Sequence, residues 1–301
     1  MGNEHTEYSG DIDVPVNAIQ IINPQVVSKL PDGIIIKNIA AHGASFWTRT
    51  ARLDAELDGE KKQYFLKTSF RDRGRGMMSG EFASMSLIYA AKPDLIPKLP
   101  DLHTFPAMLA ELHRAGTSLD GRFGFAYTTY HGNTLIKHGW SNTWEGYFTR
   151  TTRELLRLEQ EAQGLHQQLI ELTGPFLEKV VPRLLRPLET GGRTIKPCLI
   201  HGDLWFGNAS MDRDSELPII FDAASFYAHN EYDLGVWRAT WNKIGKPYIT
   251  EYHRSFPVSP PEEDHDDRNA LYATLIVEMK KLVDKFPGDY EAWEDARNSK
   301  A

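Results

Sequence analysis

The chain has 301 residues, 41% of them hydrophobic and 25% charged, which is typical of a soluble globular protein. Acidic residues outnumber basic ones, 41 to 34, and the net charge of -7 argues against a nucleic-acid partner, because phosphate backbones are usually bound by basic surfaces. Cys198 is the only cysteine, so no intramolecular disulfide and no thiolate zinc site of the usual spacing is expected. No window approaches the roughly 18 apolar residues of a membrane span, so we expect a cytoplasmic protein with no membrane partner.

Three strand signals come first along the chain. Residues 34–36 are three isoleucines that follow a Pro-Asp-Gly turn. The small residues 40–45 predict a tight reversal into a second strand at 46–53. A turn at 58–59 then precedes a third strand at 63–67. The pattern predicts a small antiparallel sheet.

Helical patterns dominate the rest of the sequence. Ser79 is the predicted N-cap of the first helix, which Pro93 ends, and the Arg/Gly-rich residues 70–76 are predicted as a solvated loop. The acidic run at 262–267 predicts a second solvated loop. Two further helices are predicted at 105–113 and 165–185. A third is predicted to begin after an N-cap at Asn142, with Glu145 three residues further on. Two short apolar runs, 198–200 and 218–221, interrupt the helices as strands.

Polar residues typical of phosphoryl transfer follow those two short strands. Residues 201–208 read His-Gly-Asp-Leu-Trp-Phe-Gly-Asn, and the second strand ends at Asp222. Phosphoryl transfer needs a carboxylate that orients the attacking hydroxyl and oxygen ligands that hold Mg²⁺. Asp203 has the spacing of such a base, with Asn208 and Asp222 as the magnesium ligands. The alternative is that His-Gly-Asp is an ordinary turn whose Asp and Asn cap backbone amides.

A second constellation lies in the first hundred residues. Lys67, at the end of the third strand, is predicted to bind nucleotide phosphates, and Glu81, early in the next helix, to hold that lysine. The segment His42-Gly43-Ala44-Ser45 is the candidate phosphate-covering loop, although one glycine makes a weak motif. The alternative is a surface lysine and a glutamate favoured by the helix dipole.

These motifs together resemble the fructosamine kinase family, also called ketosamine-3-kinases or protein-ribulosamine 3-kinases, within the aminoglycoside-phosphotransferase and protein-kinase-like superfamily. The resemblance rests on residues 201–208 and on residues 218–233, Pro-Ile-Ile-Phe-Asp-Ala-Ala-Ser-Phe-Tyr-Ala-His-Asn-Glu-Tyr-Asp. Supporting matches lie at 80–84, 109–113 and 122–125. The likeness spans about residues 17 to 285.

The resemblance implies an enzyme that uses ATP and Mg²⁺ to phosphorylate the 3-hydroxyl of ketosamines, free or on glycated proteins, in a deglycation repair role. It implies Asp203 as the base, Asn208 and Asp222 as magnesium ligands and Lys67 as the phosphate-binding lysine. Trp205 would form an aromatic wall for the sugar, with core packing as the alternative. His201 and Asp233 would be structural, with Asp233 anchoring the catalytic loop through backbone amides.

The fold implied is α+β and two-lobed, like a protein kinase, with a small antiparallel β N-lobe at 1–97 and a larger helical C-lobe at 98–301. Two further strands and a hinge normally need about 20 residues between the first helix and the next. Only residues 97–104 are available, so we expect a truncated N-lobe without the hinge that pairs with adenine. One alternative is therefore a catalytically impaired pseudokinase. A separate alternative is a kinase of an aminoglycoside or another amino sugar.

Overall fold

The computed structural model describes residues 22–44, 48–69, 71–91, 101–132, 134–211, 217–273 and 276–299. The chain divides between Ser79 and Gly80 into two compact units, each with its own internal contacts. This division lies inside a helix, Arg71–Ala91, whereas the sequence places the lobe boundary at 97. Among the described residues, no helix combines the length and the apolar character that crossing a membrane requires.

The first unit contains an antiparallel sheet of three described strands in the order β1-β2-β3. The helix α1 (Pro24–Val27) precedes the strands β1 (Ile35–Ala44), β2 (Arg49–Leu57) and β3 (Glu60–Thr68). Ala51, Leu53 and Ala55 alternate along the central strand and are buried, as expected for one covered face. The three predicted strands and the turn at 58–59 are confirmed.

The predicted reversal at 40–45 is wrong for the described residues 40–44. Gly43 pairs with Thr50 and Ala44 with Arg49, so β1 continues to Ala44. Small residues permit a reversal but do not require one, and ladder pairing with β2 extends the strand. Ser45 lies outside the described residues, as do residues 92–100, where the sheet strands and hinge of a complete N-lobe would lie.

The helix α2 (Arg71–Ala91) is longer than the sequence suggests. Ser79 lies inside it and is not an N-cap, and the residues predicted as a loop are helical from Arg71 onwards. The segment contains no proline, and a glycine inside a helix costs only about 1 kcal/mol relative to alanine, which the rest of the helix offsets. From Gly80 onwards the helix belongs to the second unit.

The second unit is mainly helical and holds the large hydrophobic core. Its helices are α3 (Thr104–Ala115), α4 (Trp144–Gln163), α5 (Gln167–Pro175), α6 (Val181–Leu185), α7 (Lys246–Ser255), α8 (His265–Ala273), α9 (Ile276–Lys285) and α10 (Tyr290–Asn298). A π-helical turn, Phe176–Val180, joins α5 to α6, so the predicted helical stretch is confirmed from Gln167 onwards. The predicted N-cap Asn142 is wrong, because Thr143 accepts the hydrogen bond from Gly146 N.

Short strands complete the second unit. They are β4 (Phe123–Phe125), β5 (Thr129–His131), β6 (Thr134–Ile136), β7 (Gly139–Ser141), β8 (Cys198–Ile200), β9 (Ala209–Met211), β10 (Pro218–Ile220) and β11 (Phe226–Ala228). Four form a sheet in the order β7-β4-β11-β8, and the pairs β5-β6 and β9-β10 are separate hairpins. Both predicted short strands are confirmed. The β9-β10 pairing brings Asn208 and Phe221 side by side, because each adjoins one of these strands.

The acidic run at 262–267 is not a solvated loop. Glu262–Asp264 forms a 3₁₀ turn that leads into α8. Asp264 is buried and accepts hydrogen bonds from both terminal nitrogens of Arg183, at 2.7 and 2.9 Å. The partner of the run is a buried arginine from α6, which composition alone does not reveal.

His138 makes the stability of this core depend on pH. It is buried between Thr129 Oγ1 at 2.7 Å and Tyr147 Oη at 2.5 Å, and burial lowers its pKa to about 3. Histidine in an unfolded chain titrates near pH 6.5. Below that pH the unfolded chain binds a proton that the folded protein does not, so stability falls as pH decreases from 6.5 towards about 3.

We therefore predict that the free energy of unfolding falls between pH 7 and pH 5, with His138 contributing about 2 kcal/mol of the loss. Urea unfolding at both pH values measures it. His138→Gln, which cannot titrate, should show a smaller loss between the two pH values. The same change at His103, whose side chain is 74% exposed, is the surface control and should retain a larger loss than His138→Gln does. Equal pH dependence in the wild type and His138→Gln would contradict the prediction.

Candidate active site

The Asp233 carboxylate fixes the backbone of the predicted catalytic loop. Oδ2 accepts a hydrogen bond from His201 N at 2.7 Å, and Oδ1 accepts one from Gly202 N at 2.8 Å. His113 Nε2 donates to Oδ2 at 3.2 Å. Burial alone would raise the pKa of Asp233, but the His113 hydrogen bond and its neighbours hold that pKa below its ordinary value. A fully buried, ionised carboxylate thus sets the position of the residue before Asp203.

A buried chain of side chains supports this carboxylate. Tyr252 Oη lies 2.8 Å from His113 Nδ1 and accepts a hydrogen bond from Asn230 Nδ2 at 3.0 Å. Because a carboxylate can only accept, His113 Nε2 carries the proton that it donates to Asp233, and Nδ1 of the same ring is in hydrogen-bond contact with the tyrosine hydroxyl. Burial raises the pKa of Tyr252 well above its ordinary value, which keeps the hydroxyl protonated. Helices α3 and α7 are thereby tied to the catalytic loop.

His201 joins the loop before Asp203 to the loop before Asp222. Its Nε2 donates to Phe221 O at 2.9 Å, and its Nδ1 accepts from Asp203 N at 3.2 Å. Burial lowers the pKa of His201, so the ring is neutral, with its proton on Nε2. The His201 carbonyl accepts from Ala224 N at 3.0 Å. One residue therefore bridges both segments.

The two segments approach each other closely at Gly202. Its φ is 82°, a left-handed value, and a Cβ there would lie 2.4 Å from Ala224 O. Neither condition suits another residue type. The glycine of the motif is thus required by backbone geometry.

Asp203 and Asn208 are in direct contact. Asn208 Nδ2 donates to the Asp203 carbonyl at 2.8 Å and to its Oδ2 at 3.0 Å. Phe221 N donates to Asn208 O at 3.1 Å, which places Asp222 next to this pair along the backbone. Asp222 has a φ of 59°, uncommon for a residue other than glycine. The structure therefore brings the predicted base and both predicted magnesium ligands into one region of the backbone.

This donor set suits a magnesium ion. The amide nitrogen of Asn208 is used by Asp203, so its Oδ1 and the Asp222 carboxylate are the hard oxygen donors that Mg²⁺ prefers. Mg²⁺ usually keeps several waters and binds only one or two protein groups, so two residues are a fitting number. Within the described residues, no group of three or more His, Cys, Asp or Glu is arranged to hold a metal.

A cavity of about 270 Å³ lies beside Asp203. Its described lining includes His131, Thr152, Leu155, Asp203, Trp241 and Tyr272. His131 Nε2 donates to Gly202 O at 2.8 Å, so this side chain touches both the cavity and the catalytic loop. Trp241 is 58% exposed. His131 and Trp241 are candidate substrate contacts that the sequence reasoning missed, since neither lies in a recognisable motif.

Trp205, the predicted aromatic wall, is not among the described residues that line this cavity. Its ring contacts Trp241 edge-on, with centroids 6.0 Å apart, and packs against Phe206. Trp205 thus packs behind Trp241, which lines the cavity. This position agrees better with the packing alternative than with a sugar-binding wall.

The remaining predicted site residues belong to the first unit and to α2. Lys67 lies in β3 opposite Thr50, and Glu81 lies in α2. His42 and Gly43 lie near the end of β1. The assignments of Lys67, Glu81 and residues 42–45 to nucleotide binding stay predictions from the sequence.

Solved structures of the protein-kinase-like type share this fold. A Thermobifida fusca protein described as a fructosamine-3-kinase superposes with a TM-score of 0.65 at 18% identity, covering 84% of this chain and 95% of that one. The ADP-bound aminoglycoside phosphotransferase APH(2'')-Ib gives 0.54 at 13% identity, covering 87% and 97%. The fold is therefore α+β and protein-kinase-like, as predicted.

Sequence comparisons identify one family within the proteins that share the protein-kinase-like fold. The fructosamine kinase family model matches residues 94–293. The Arabidopsis thaliana chloroplastic protein-ribulosamine 3-kinase is 30% identical over 241 residues, 69% of this chain and 67% of that protein. The mouse ketosamine-3-kinase is 28% identical over 249 residues, 67% and 78% of the two chains. The chain belongs to the fructosamine kinase family, which confirms the predicted resemblance and the enzyme class.

We predict that Asp233→Asn destabilises the protein by about 2–3 kcal/mol, because an amide group replaces a buried charged acceptor of two N–H bonds. Urea unfolding measures the loss. Asp120→Asn removes a carboxylate that is about half exposed and paired with Arg122. It serves as the control, with an expected loss of about 1 kcal/mol or less. If Asp233→Asn were as stable as this control, the anchoring role would be refuted.

Proposed function

We propose that this protein transfers the γ-phosphoryl group of ATP to the 3-hydroxyl of a ketosamine, a fructosamine or ribulosamine adduct on a free amine or a glycated protein. The observation that carries the proposal is the Asp203 side chain, which lines a cavity and is held by Asn208 and the anchored backbone of Gly202. Membership of the fructosamine kinase family supports the substrate class. The biological role proposed is deglycation repair.

Asp203 acts as the base in this scheme. Its carboxylate accepts the proton of the sugar hydroxyl as that oxygen attacks the γ-phosphorus atom. The Asn208 amide hydrogen bond to Oδ2 fixes one oxygen, so the other is available to the hydroxyl. Anchoring through Asp233 keeps the carboxylate from rotating away with its backbone.

Asn208 and Asp222 would hold Mg²⁺, which when bound neutralises charge on the phosphate oxygens. Lys67, held by Glu81, would bind the nucleotide phosphates, and residues 42–45 would cover them. These assignments rest on the motif and on the donor chemistry of Asn208 and Asp222. A cytoplasmic location also stays a prediction.

The cavity favours a weakly charged sugar over a polycationic aminoglycoside. Among its described lining residues, Asp203 and Asp233 are the only carboxylates, and Asp233 already binds two amides and His113. Several ammonium groups are bound most strongly where several carboxylates can pair with them. Trp241 and His131 instead supply an aromatic face and a hydrogen-bonding ring, which suit a sugar with one amine.

The short connection between α2 and α3 favours the alternative of an impaired kinase. Only residues 92–103 separate α2 from α3, so the hinge expected from the family has little room. Calorimetry with Mg-ATP decides between the two functions. Saturable binding at micromolar to millimolar concentrations supports the kinase, and no binding supports the impaired protein.

We predict that Asp203→Ala lowers kcat by about 10²- to 10⁴-fold, because general-base catalysis contributes roughly that much. The assay uses ATP, Mg²⁺ and a synthetic ribulosamine or fructosamine, with phosphorus NMR to identify the 3-phosphate. Asp203→Asn keeps the shape and should be almost as inactive. Asp120→Asn should keep wild-type activity, and full activity in Asp203→Ala would refute the mechanism.

We predict that Trp241→Ala raises KM for the ketosamine about two- to fivefold while kcat changes little, because an exposed cation–π or stacking contact contributes about 0.5–1 kcal/mol. Steady-state kinetics measure both constants. Trp140, which is 36% exposed and not among the described lining residues, provides the control Trp140→Ala with an unchanged KM. An equal rise in both variants would contradict a specific contact.

A further inference from the structure

A hydrogen bond connects α2 directly to the segment that follows Asp222. Ser84 Oγ accepts from Ser225 N at 3.1 Å, and both residues are fully buried. The same hydroxyl donates to Gly80 O at 2.9 Å, one helical turn earlier. A hydroxyl has one donor and two acceptor sites, so both bonds form together. Ser84 therefore ties the helix to the backbone three residues beyond Asp222.

Close packing at Gly80 holds the same stretch of helix in place. A Cβ at Gly80 would lie 2.4 Å from Thr128 O, so only glycine permits this approach. The helix thus lies directly against the backbone near β5. Two contacts therefore fix this turn of the helix: the packing of Gly80 against Thr128 O and the hydrogen bond from Ser225 N to Ser84 Oγ.

Asp222 needs such external support. Its φ of 59° is left-handed, and a residue other than glycine keeps it only where the surroundings determine the backbone. On its N-terminal side, Phe221 is bonded to His201 and Asn208. On its C-terminal side, Ala224 N is bonded to His201 O, and Ser225 N to Ser84 Oγ. Of these bonds, only the one to Ser84 comes from outside the two catalytic segments.

We propose that Ser84 is a positioning residue that holds residues 222–225 in the conformation that presents Asp222 to a divalent cation. Reading Asp222 as a metal ligand rests on the proposed function. Ser84 also lies one turn after Glu81 on α2, so the hydrogen bond couples the position of that helix to the metal side of the site.

The chain offers variants that separate this role from packing. Ser84→Ala leaves the buried Ser225 N–H without its acceptor, whereas Ser84→Thr keeps a hydroxyl. Ser225→Ala removes only a buried Oγ that has no hydrogen-bond partner, so it leaves the proposed bond intact. Ser86→Ala removes an exposed serine from the same helix.

Hydrogen exchange on the intact protein, analysed by mass spectrometry, tests the conformational part without any activity. In Ser84→Ala, the peptide containing Ser225 should exchange at least about fivefold faster, the factor expected for a lost hydrogen bond of about 1 kcal/mol. Ser86→Ala, Ser225→Ala and Ser84→Thr should exchange as the wild type does. Unchanged exchange in Ser84→Ala, or equally fast exchange in Ser225→Ala, would overturn the proposal.

Kinetics test the consequence for the metal. The Mg²⁺ concentration that gives half-maximal phosphoryl transfer should rise about fivefold in Ser84→Ala, and return in Ser84→Thr, while the ketosamine KM stays unchanged. If Ser84 had a purely structural role, Ser84→Ala would lower the amount of folded enzyme but leave the half-maximal Mg²⁺ concentration unchanged. An unchanged half-maximal Mg²⁺ concentration would refute the proposal. If the wild type transfers no phosphate, the proposed function fails, and the exchange result still decides whether Ser84 holds the segment.

Discussion

The catalytic half of this molecule depends on one buried carboxylate. Asp233 accepts hydrogen bonds from two consecutive backbone amides, His201 N and Gly202 N, and no neutral side chain could accept both with equal strength. The cost of burying this charge is offset by His113, which Tyr252 in turn supports. Because Asp203 follows these amides directly, the position of the proposed base is set by helices far from it in sequence.

A second constraint joins the two loops of the site. His201 uses its ring and its carbonyl to bind both sides of the Asp222 turn, while Asn208 binds the Asp203 carboxylate and accepts from Phe221 N. The backbone positions of the proposed base and the two proposed metal ligands are therefore linked by hydrogen bonds. Such preorganisation is what phosphoryl transfer requires of a protein, since the chemistry is mainly positioning and charge stabilisation.

Local sequence patterns predicted most helices and strands. They failed where a residue distant in sequence fixes the conformation of a segment. The strands and most helices follow from periodicity and turn residues. The helix α2 begins earlier than its apparent cap, and the acidic residues near Asp264 are ordered by Arg183 from α6, which no local signal reveals. The same holds for the cavity, where Trp241 and His131 lie outside any motif while Trp205 packs behind.

The sequence by itself indicated the kinase-like class and the spacing of Asp203, Asn208 and Asp222, because that spacing is a local property of two short segments. The family followed from the resemblance of those segments to known motifs. Only the tertiary structure decided which groups hold those segments, which residues line the cavity and how Ser84 reaches Ser225. Many of those contacts join residues that lie 31 to 141 positions apart, and their geometry depends on how helices and strands pack around a shared core.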